Sequence, residues 1–225
     1  PTDPVPNLIL AAVPPREKNR DVLVSPRAAT LEDLPPGARV GTGSIRRRAQ
    51  LLHLRPDLTV LDIRGNVDTR LRKLDEGQYD AILLAEAGLL RLGLSHRMTQ
   101  VIPPTSMLPA AGQGALGIES RADDAATRQV LTVLDDPDTH HAVLAERVLL
   151  ATLRAGCLAP VGAWARVVDG NLQLDAVVLS SDGTERLARS ASGPSAAAEQ
   201  IGAQVAAELL AAGADRLIAT ARQSV

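Results

Sequence analysis

The first half of the chain alternates short apolar runs with segments of helical periodicity. Residues 44–54 and 67–74 carry apolar side chains at helical spacing. The apolar runs of strand length that surround them are residues 8–13, 21–25, 38–42, 58–63 and 79–85. Strands that alternate with helices over short links predict a parallel α/β sheet with helices on both faces.

The second half follows a different pattern. Residues 115–118 have the pattern of a short strand, and helical periodicity recurs at residues 125–134, 138–154 and 195–212. Asp169-Gly170 and Asp182-Gly183 have the composition of tight hairpin turns. They separate three further apolar runs, at residues 163–168, 171–179 and 185–191. We therefore expect a separate α+β domain with a three-stranded antiparallel sheet.

Composition excludes several classes of function. The chain has 225 residues, a net charge of −2 and aromatic side chains at only 1% of its positions. It has neither the positive field nor the aromatic platforms expected of a nucleic-acid-binding protein. No apolar run approaches the roughly 20 residues needed to span a bilayer. Cys157 is the only cysteine, so no disulfide forms within the chain, which is typical of the cytoplasm.

A small-residue turn and three arginines open the first predicted helix. Residues 41–48 read Gly-Thr-Gly-Ser-Ile-Arg-Arg-Arg, so the helix begins at Ser44. Free backbone N–H groups and the helix dipole favour an anion at such a turn. Thr42 and Ser44 add hydroxyl groups there, and Arg46 and Arg47 add guanidinium groups. Ser44 as an ordinary N-cap is the alternative, but arginines at the positive end of a helix favour a bound anion.

The same design recurs after the next predicted strand. Arg64 ends that strand, Gly65 allows close approach of the backbone, Asn66 can cap the helix and Arg70 lies one turn further on. Ligands of parallel α/β sheets lie beyond the carboxyl ends of the strands. Both sets of arginines are therefore predicted to face one crevice, which would take a polycarboxylate or a phosphate. The alternative is a solvated helix face with ordinary caps.

Cys157 follows the predicted helix at residues 138–154, in a loop of small residues. The loop position favours an accessible thiol, whereas composition alone favours a buried and inert cysteine. The residues leave both interpretations open. No set of cysteine, histidine and carboxylate residues has the spacing of a metal site.

Five motifs, in order, resemble those of the hydroxymethylbilane synthase (porphobilinogen deaminase) family. The pattern Arg-Gly-Asn-Val-x-Thr-Arg-Leu-x-Lys-Leu is intact at residues 64–74. The family's Gly-Thr-Ser-Ser-Leu-Arg-Arg pattern is matched at residues 41–47, with Gly43 in place of a serine. The other matches are residues 79–94, 108–119 and 145–157, the last of which ends on the family's cofactor-bearing cysteine. Leu158 replaces a polar residue that often follows it.

The resemblance implies a transferase of tetrapyrrole (haem) biosynthesis. Four porphobilinogens would join head to tail, with loss of ammonia, on a dipyrromethane cofactor bound covalently to Cys157. Each pyrrole ring carries an acetate and a propionate, and the arginines would hold these groups while contributing little to the fold. The implied cofactor contacts are Cys157, Thr42, Ser44, Arg46, Arg47, Arg64, Gly65, Asn66, Arg70 and Arg147. The implied substrate contacts are Arg64, Arg70, Arg91 and Gln113.

The resemblance also implies the domain organisation. Sheet lobes like those of periplasmic binding proteins would precede the α+β domain. Residues 1–15 and 115–135 would represent domain one, residues 20–108 domain two and residues 137–225 domain three. Pro1 matches the end of the family motif His-Ser-x-Lys-Asp-x-Pro, whose aspartate is catalytic. We therefore expect no catalytic residue in this chain, and no turnover without the segment that carries the motif.

The implied partner is porphobilinogen alone, bound by a cytoplasmic monomer without metal, nucleic acid or membrane. A catalytically silent carboxylate-binding module of the same fold is the alternative.

Overall fold

The computed structural model describes residues 5–156 and 159–223, which contain ten strands and seven α-helices. The strands are β1 (Leu8–Ala12), β2 (Asp21–Val24), β3 (Arg39–Gly41), β4 (Thr59–Leu61), β5 (Ala81–Ala85), β6 (Gln100–Ile102), β7 (Ile118–Arg121), β8 (Val161–Val168), β9 (Asn171–Leu179) and β10 (Arg186–Pro194). The helices are α1 (Ile45–Leu54), α2 (Val67–Asp75), α3 (Glu86–Arg91), α4 (Ala125–Leu131), α5 (Pro137–Thr152), α6 (Ala198–Ala211) and α7 (Ala214–Gln223). Short 3-10 turns lie at Ser95–Arg97, Thr132–Leu134 and Ser195–Ala197.

A five-stranded sheet with the order β4-β3-β5-β2-β6 organises the first half of the chain. β3 is parallel to β4 and to β5, whereas β2 is antiparallel to β5 and to β6. The α/β class is therefore confirmed, but the sheet is mixed and β2 alone runs the other way. This reversal places Asp21, the first residue of β2, beside Ala85, the last residue of β5.

Helices cover both faces of this sheet, as predicted. Neighbouring residues of a strand point to opposite faces, so Leu23 of β2 packs in one cluster with Leu51 of α1. Val22 packs on the other face with Leu71 of α2. Helices α1 and α2 each begin at a side-chain cap. For α2, the Oδ1 of Asn66 accepts a hydrogen bond from the Thr69 backbone N–H at 2.9 Å.

The C-terminal part of the chain is an α+β unit. β8, β9 and β10 form the predicted antiparallel sheet, with β9 in the centre. Helices α5, α6 and α7 pack on one of its faces. None of the helices in the described ranges combines the length and the apolar character needed to cross a bilayer.

β1 and β7 form a separate two-stranded antiparallel sheet next to α4. Large apolar side chains stand in solvent around it, and the most exposed are Leu116, Val130 and Val133.

Glu146 of α5 connects the segment after β1 and the segment before β7 to the C-terminal unit. Its carboxylate is fully buried and accepts hydrogen bonds from both terminal nitrogens of Arg16, at 2.8 and 3.0 Å. It also accepts from the backbone N–H of Gly112 at 2.6 Å and from that of Ala165 at 2.8 Å. Arg16 follows β1, Gly112 precedes β7 and Ala165 lies in β8, so one carboxylate ties three segments together.

We expect Glu146→Ala to lower the free energy of unfolding by about 3–5 kcal/mol, because it leaves the Arg16 guanidinium buried without a counter-charge. Urea denaturation measures this loss. Glu76→Gln is the control, since Glu76 forms an exposed pair with Arg72 and its loss should cost less than about 1 kcal/mol. Equal losses in the two variants would show that the Glu146 junction contributes little.

Candidate anion-binding site

A cavity of about 410 Å³ opens between the N-terminus of α1, the segment before β7, and α5. Its walls are mainly apolar, and its charged groups are all cationic. Its lining includes Ser44, Arg46, Gly112, Arg147, Gly156 and Ala159.

A fully buried aspartate holds both arginines at the start of α1. Asp21 Oδ2 accepts from Arg46 Nη1 at 2.6 Å, and Asp21 Oδ1 accepts from Arg47 Nε at 3.0 Å. Gln113 Nε2 donates to the same Oδ1 at 2.9 Å. Burial opposes ionisation of Asp21, but the charges of Arg46 and Arg47 outweigh it, so the pKa of this carboxyl lies below its ordinary value. Asp21 is therefore ionised at neutral pH.

The sequence reasoning missed Asp21 because it expected β2 to be parallel to its neighbours. In a parallel strand, the first residue would lie at the edge of the sheet remote from α1. The reversal of β2 brings Asp21 to the edge where α1 begins. The only signal in the sequence was an acidic residue directly before the apolar run Val22–Leu23–Val24.

Arg46 has one donor left for a ligand. Its Nη1 also donates to the Leu108 carbonyl oxygen at 2.7 Å, and its Nη2 donates to Gln113 Oε1 at 3.3 Å. Its Nε is buried and has no hydrogen-bond partner among the described residues. Because Arg46 lines the cavity, an acceptor on a bound ligand would satisfy this nitrogen.

The expectation that the arginines contribute little to the fold is wrong for two of them. Arg46 is 4% exposed and Arg47 is 8% exposed. Both side chains belong to the buried ion-pair network of Asp21, so they hold the start of α1 against β2. Arg46 lines the cavity, whereas Arg47 is not among its lining residues.

The remaining arginines of the first half lie outside the cavity. Arg64 is exposed and its Nε donates to Asp62 at 2.8 Å. Arg70 Nε donates to the carbonyl oxygen of Gly65 at 2.8 Å, and its charge lies within electrostatic range of Arg47. Gly65 has a φ of 119°, a conformation that favours glycine. Arg91 is exposed in the last turn of α3.

Four other predicted site residues make structural contacts within the chain. Thr42 is buried, and its hydroxyl accepts from the Ser44 backbone N–H at 3.2 Å. Ser44 caps α1 by accepting from the Arg47 N–H, and Asn66 caps α2 as described above. Gln113 donates to the Asn19 carbonyl oxygen at 2.6 Å in addition to Asp21.

The cavity also borders the predicted cofactor loop. Cys157 and Leu158 lie outside the described residues. Gly156 and Ala159, on either side of them, both line the cavity. Arg147 of α5 lines the same cavity as Arg46 of α1, so two arginines from different helices bring positive charge to it. Within the described residues, no three histidine, cysteine or carboxylate side chains are grouped as metal ligands.

A mixed α/β lobe with Arg46 in a cavity beside the carboxyl edge of its sheet belongs to the α/β class and offers a candidate site for an anion. Residues 1–129 match the family model "Porphobilinogen deaminase, dipyromethane cofactor binding domain", and residues 140–211 match "Porphobilinogen deaminase, C-terminal domain". The chain belongs to the porphobilinogen deaminase family.

Individual relatives agree with this assignment. The porphobilinogen deaminase of Syntrophobacter fumaroxidans is 51% identical over 94% of this chain and 68% of its own length. That of Desulforudis audaxviator is 53% identical over 96% of this chain and 70% of its own length. That of Thermus thermophilus is 47% identical over 99% of this chain and 74% of its own length.

Among solved structures, a periplasmic substrate-binding protein of an ABC transporter from Coxiella burnetii is similar to part of the chain. The two are 16% identical, the match covers 58% of this chain and 63% of that one, and the TM-score is 0.39.

We expect Asp21→Asn to lower the free energy of unfolding at neutral pH by about 3–5 kcal/mol, because two buried guanidinium groups lose their counter-charge. Since the pKa of Asp21 is lowered by folding, its contribution is present above the unfolded pKa of about 3.9 and is lost as the pH falls through the lower folded value. The difference in free energy of unfolding between the parent chain and the variant should therefore become smaller as the pH falls below about 4. Urea denaturation across a pH series measures it.

Asp80→Asn is the matched control. Asp80 also pairs with two arginines, Arg27 and Arg39, but at the opposite edge of the same sheet and with more of its side chain in solvent. Asp80→Asn should therefore lower the free energy of unfolding by less than Asp21→Asn does. Equal losses for the two aspartates, or a difference that does not change with pH, would contradict the role assigned to Asp21.

Proposed function

We propose that this chain acts as a hydroxymethylbilane synthase, which condenses four porphobilinogens head to tail with loss of ammonia. The observation that carries the proposal is the cavity that is lined by Arg46 and Arg147, from two different helices, and has Gly156 and Ala159 at its border. A dipyrromethane attached to Cys157 would enter this cavity directly from its loop. Its acetate and propionate groups would meet the cationic walls.

The residues fit such a group in two respects. The buried and unpartnered Nε of Arg46 requires an acceptor, which a carboxylate supplies. Apolar side chains of Leu10, Val143 and Leu150 line the rest of the cavity and suit the faces of pyrrole rings. The cofactor, when bound, supplies the pyrrole carbon to which the first substrate joins.

The chain's own residues would bind and orient the reactants. Arg46, Arg147 and the Ser44 hydroxyl hold cofactor carboxylates, and Asp21 and Gln113 hold Arg46 in place. Arg64 and Arg70 lie at the start of α2, on the same edge of the sheet as α1. We assign them, with Arg91, to the carboxylates of incoming porphobilinogen.

We further propose that the chain acts as a monomer. Thioether formation needs a reduced thiol at Cys157, and this favours the cytoplasm. The domain limits proposed above, at residues 1–15 with 115–135, 20–108 and 137–225, would place the cavity where the three units meet.

A carboxylate-binding module without turnover is the second candidate. It is supported by the cationic and apolar lining of the cavity, which is sufficient to bind a carboxylate.

When the segment that carries the His-Ser-x-Lys-Asp-x-Pro motif is present, incubation with porphobilinogen should give a covalent pyrrole adduct on Cys157, visible in the intact mass. Cys157→Ser should give none, because no other thiol is present. Reversible binding of porphobilinogen by the parent chain without an adduct would favour the binding module. If the parent chain shows no reversible binding and no adduct, both proposals are refuted.

Arg64→Ala should fold normally and bind porphobilinogen more weakly. The Arg64 side chain is 75% exposed and pairs only with an exposed aspartate, so its removal should cost less than about 1 kcal/mol of stability. Loss of one charged hydrogen-bond donor to a carboxylate should weaken binding by about tenfold or more. Isothermal titration and thermal melting measure the two effects.

Arg72→Ala is the control for this substitution. Arg72 lies in α2, which begins three residues after Arg64, and is comparably exposed and paired with Glu76. Both stability and affinity should therefore stay close to those of the parent chain. Unchanged affinity in Arg64→Ala would remove Arg64 from the substrate site.

A further inference from the structure

A hairpin turn of the C-terminal sheet rests directly on helix α1. In the turn between β9 and β10, a Cβ atom on Gly183 would lie 2.5 Å from the backbone nitrogen of His53 and 2.6 Å from the carbonyl oxygen of Ala49. The Nδ1 of His53 donates to the Gly183 carbonyl oxygen at 2.9 Å. The atoms that approach Gly183 are helix backbone, which cannot move aside as a flexible side chain can. Only glycine fits at this position.

Both partners in this contact are rigid. Asp182 Oδ1 accepts from the hydroxyls of Ser180, at 2.5 Å, and Thr184, at 2.8 Å, so the turn is closed by its own hydrogen bonds. Ala49 of α1 and Leu179 at the end of β9 are fully buried in one apolar cluster. A displacement of the turn therefore moves the sheet relative to α1 rather than bending a loop.

A second glycine makes a similar approach nearby. A Cβ atom on Gly162 of β8 would lie 2.8 Å from the Cβ of Leu108 and 3.1 Å from Nε2 of Gln50 in α1. The backbone N–H of Ala163 donates to the Pro109 carbonyl oxygen at 2.9 Å. We call these contacts of Gly162 and Gly183 with α1 and Leu108 the seat.

The two parts that meet at the seat each carry one wall of the cavity. Helix α1 contributes Ser44 and Arg46 at its first turn. The opposite face of the sheet packs on α5, and α5 contributes Arg147. The distance between the two cationic walls therefore depends on how closely the sheet rests on α1.

We propose that Gly183 is a positioning residue that sets the separation of Arg46 and Arg147 across the cavity. The identity of the ligand rests on the proposed function, whereas the geometry of the seat does not. An alanine at residue 183 must retreat by about 1 Å to reach ordinary van der Waals distance. A misplacement of that size at a binding or reacting group can cost up to about a hundredfold.

The chain offers a matched control in Gly170. It occupies the turn between β8 and β9 of the same sheet, its φ is 74° against 76° for Gly183, and a Cβ atom there would meet nothing within 4 Å. Gly170→Ala and Gly183→Ala therefore carry the same backbone strain, and only the second displaces the sheet.

Three measurements test the proposal: the dissociation constant for porphobilinogen by titration calorimetry, the emission of Trp164, and the melting temperature. Trp164 is the only tryptophan of the chain and packs against the cluster at the seat. Gly183→Ala should weaken porphobilinogen binding at least tenfold and shift the emission. Gly170→Ala should lower the melting temperature but leave affinity and emission unchanged.

His53→Ala provides a second variant that removes the hydrogen bond to Gly183 without filling space. It should shift the emission and weaken binding in the same direction, by less. If Gly183→Ala does not fold, an unchanged emission and affinity in His53→Ala overturn the proposal. Equal behaviour of the two glycine variants overturns it as well, as does a loss of melting temperature alone in Gly183→Ala. If the parent chain binds no porphobilinogen, the proposed function fails, and the emission of the two glycine variants decides the role of the seat.

Discussion

Two guanidinium groups are buried at the start of one helix, and a single carboxylate makes that arrangement possible. Arg46 and Arg47 would repel each other and the positive end of the α1 dipole. Asp21 contacts both at hydrogen-bond distance and is itself out of solvent. A buried charge is tolerated only when it is paired and hydrogen-bonded. The direction of β2 is therefore a condition for the site, because a parallel β2 would carry this carboxylate to the other edge of the sheet.

Helix α1 links this charge cluster to the rest of the molecule. Its first turn carries the arginines, its middle packs under the sheet through Leu51, and its last turn contacts the hairpin at Gly183. Arg46 also donates to the carbonyl oxygen of Leu108, the residue that faces Gly162 of β8. The elements that hold the ligand-facing groups are thus the same elements that join the lobe to the C-terminal unit.

Local signals in the sequence predicted most of the elements but not how they meet. Ser44 and Asn66 were identifiable as caps because their side chains act within one turn, and the Asp-Gly pairs predicted the hairpins for the same reason. The direction of β2 depends on contacts between distant segments, so periodicity could not reveal it. For that reason the sequence predicted Arg46 and Arg47 as ligand contacts but not as buried members of an ion-pair network. The sequence did not predict helix α7, because Gly213 was interpreted as the end of the last helix. In the structure Gly213 forms the turn between α6 and α7.

The charge balance of the cavity bears on how a polycarboxylate could be both held and released. Arg46 and Arg47 with Asp21 amount to two positive charges and one negative, which leaves one net positive charge at the α1 wall. Arg147 of α5 adds one more. On the proposed function, a growing chain that gains two carboxylates with each pyrrole would soon exceed these charges, so the later carboxylates must find cations outside the cavity, at Arg64, Arg70 and Arg91. Those side chains are partly or largely in solvent, where an ion pair is weak and readily exchanged. The buried arginines therefore suit tight pairing with a cofactor that stays bound. The exposed arginines suit weak pairing with a product that must leave.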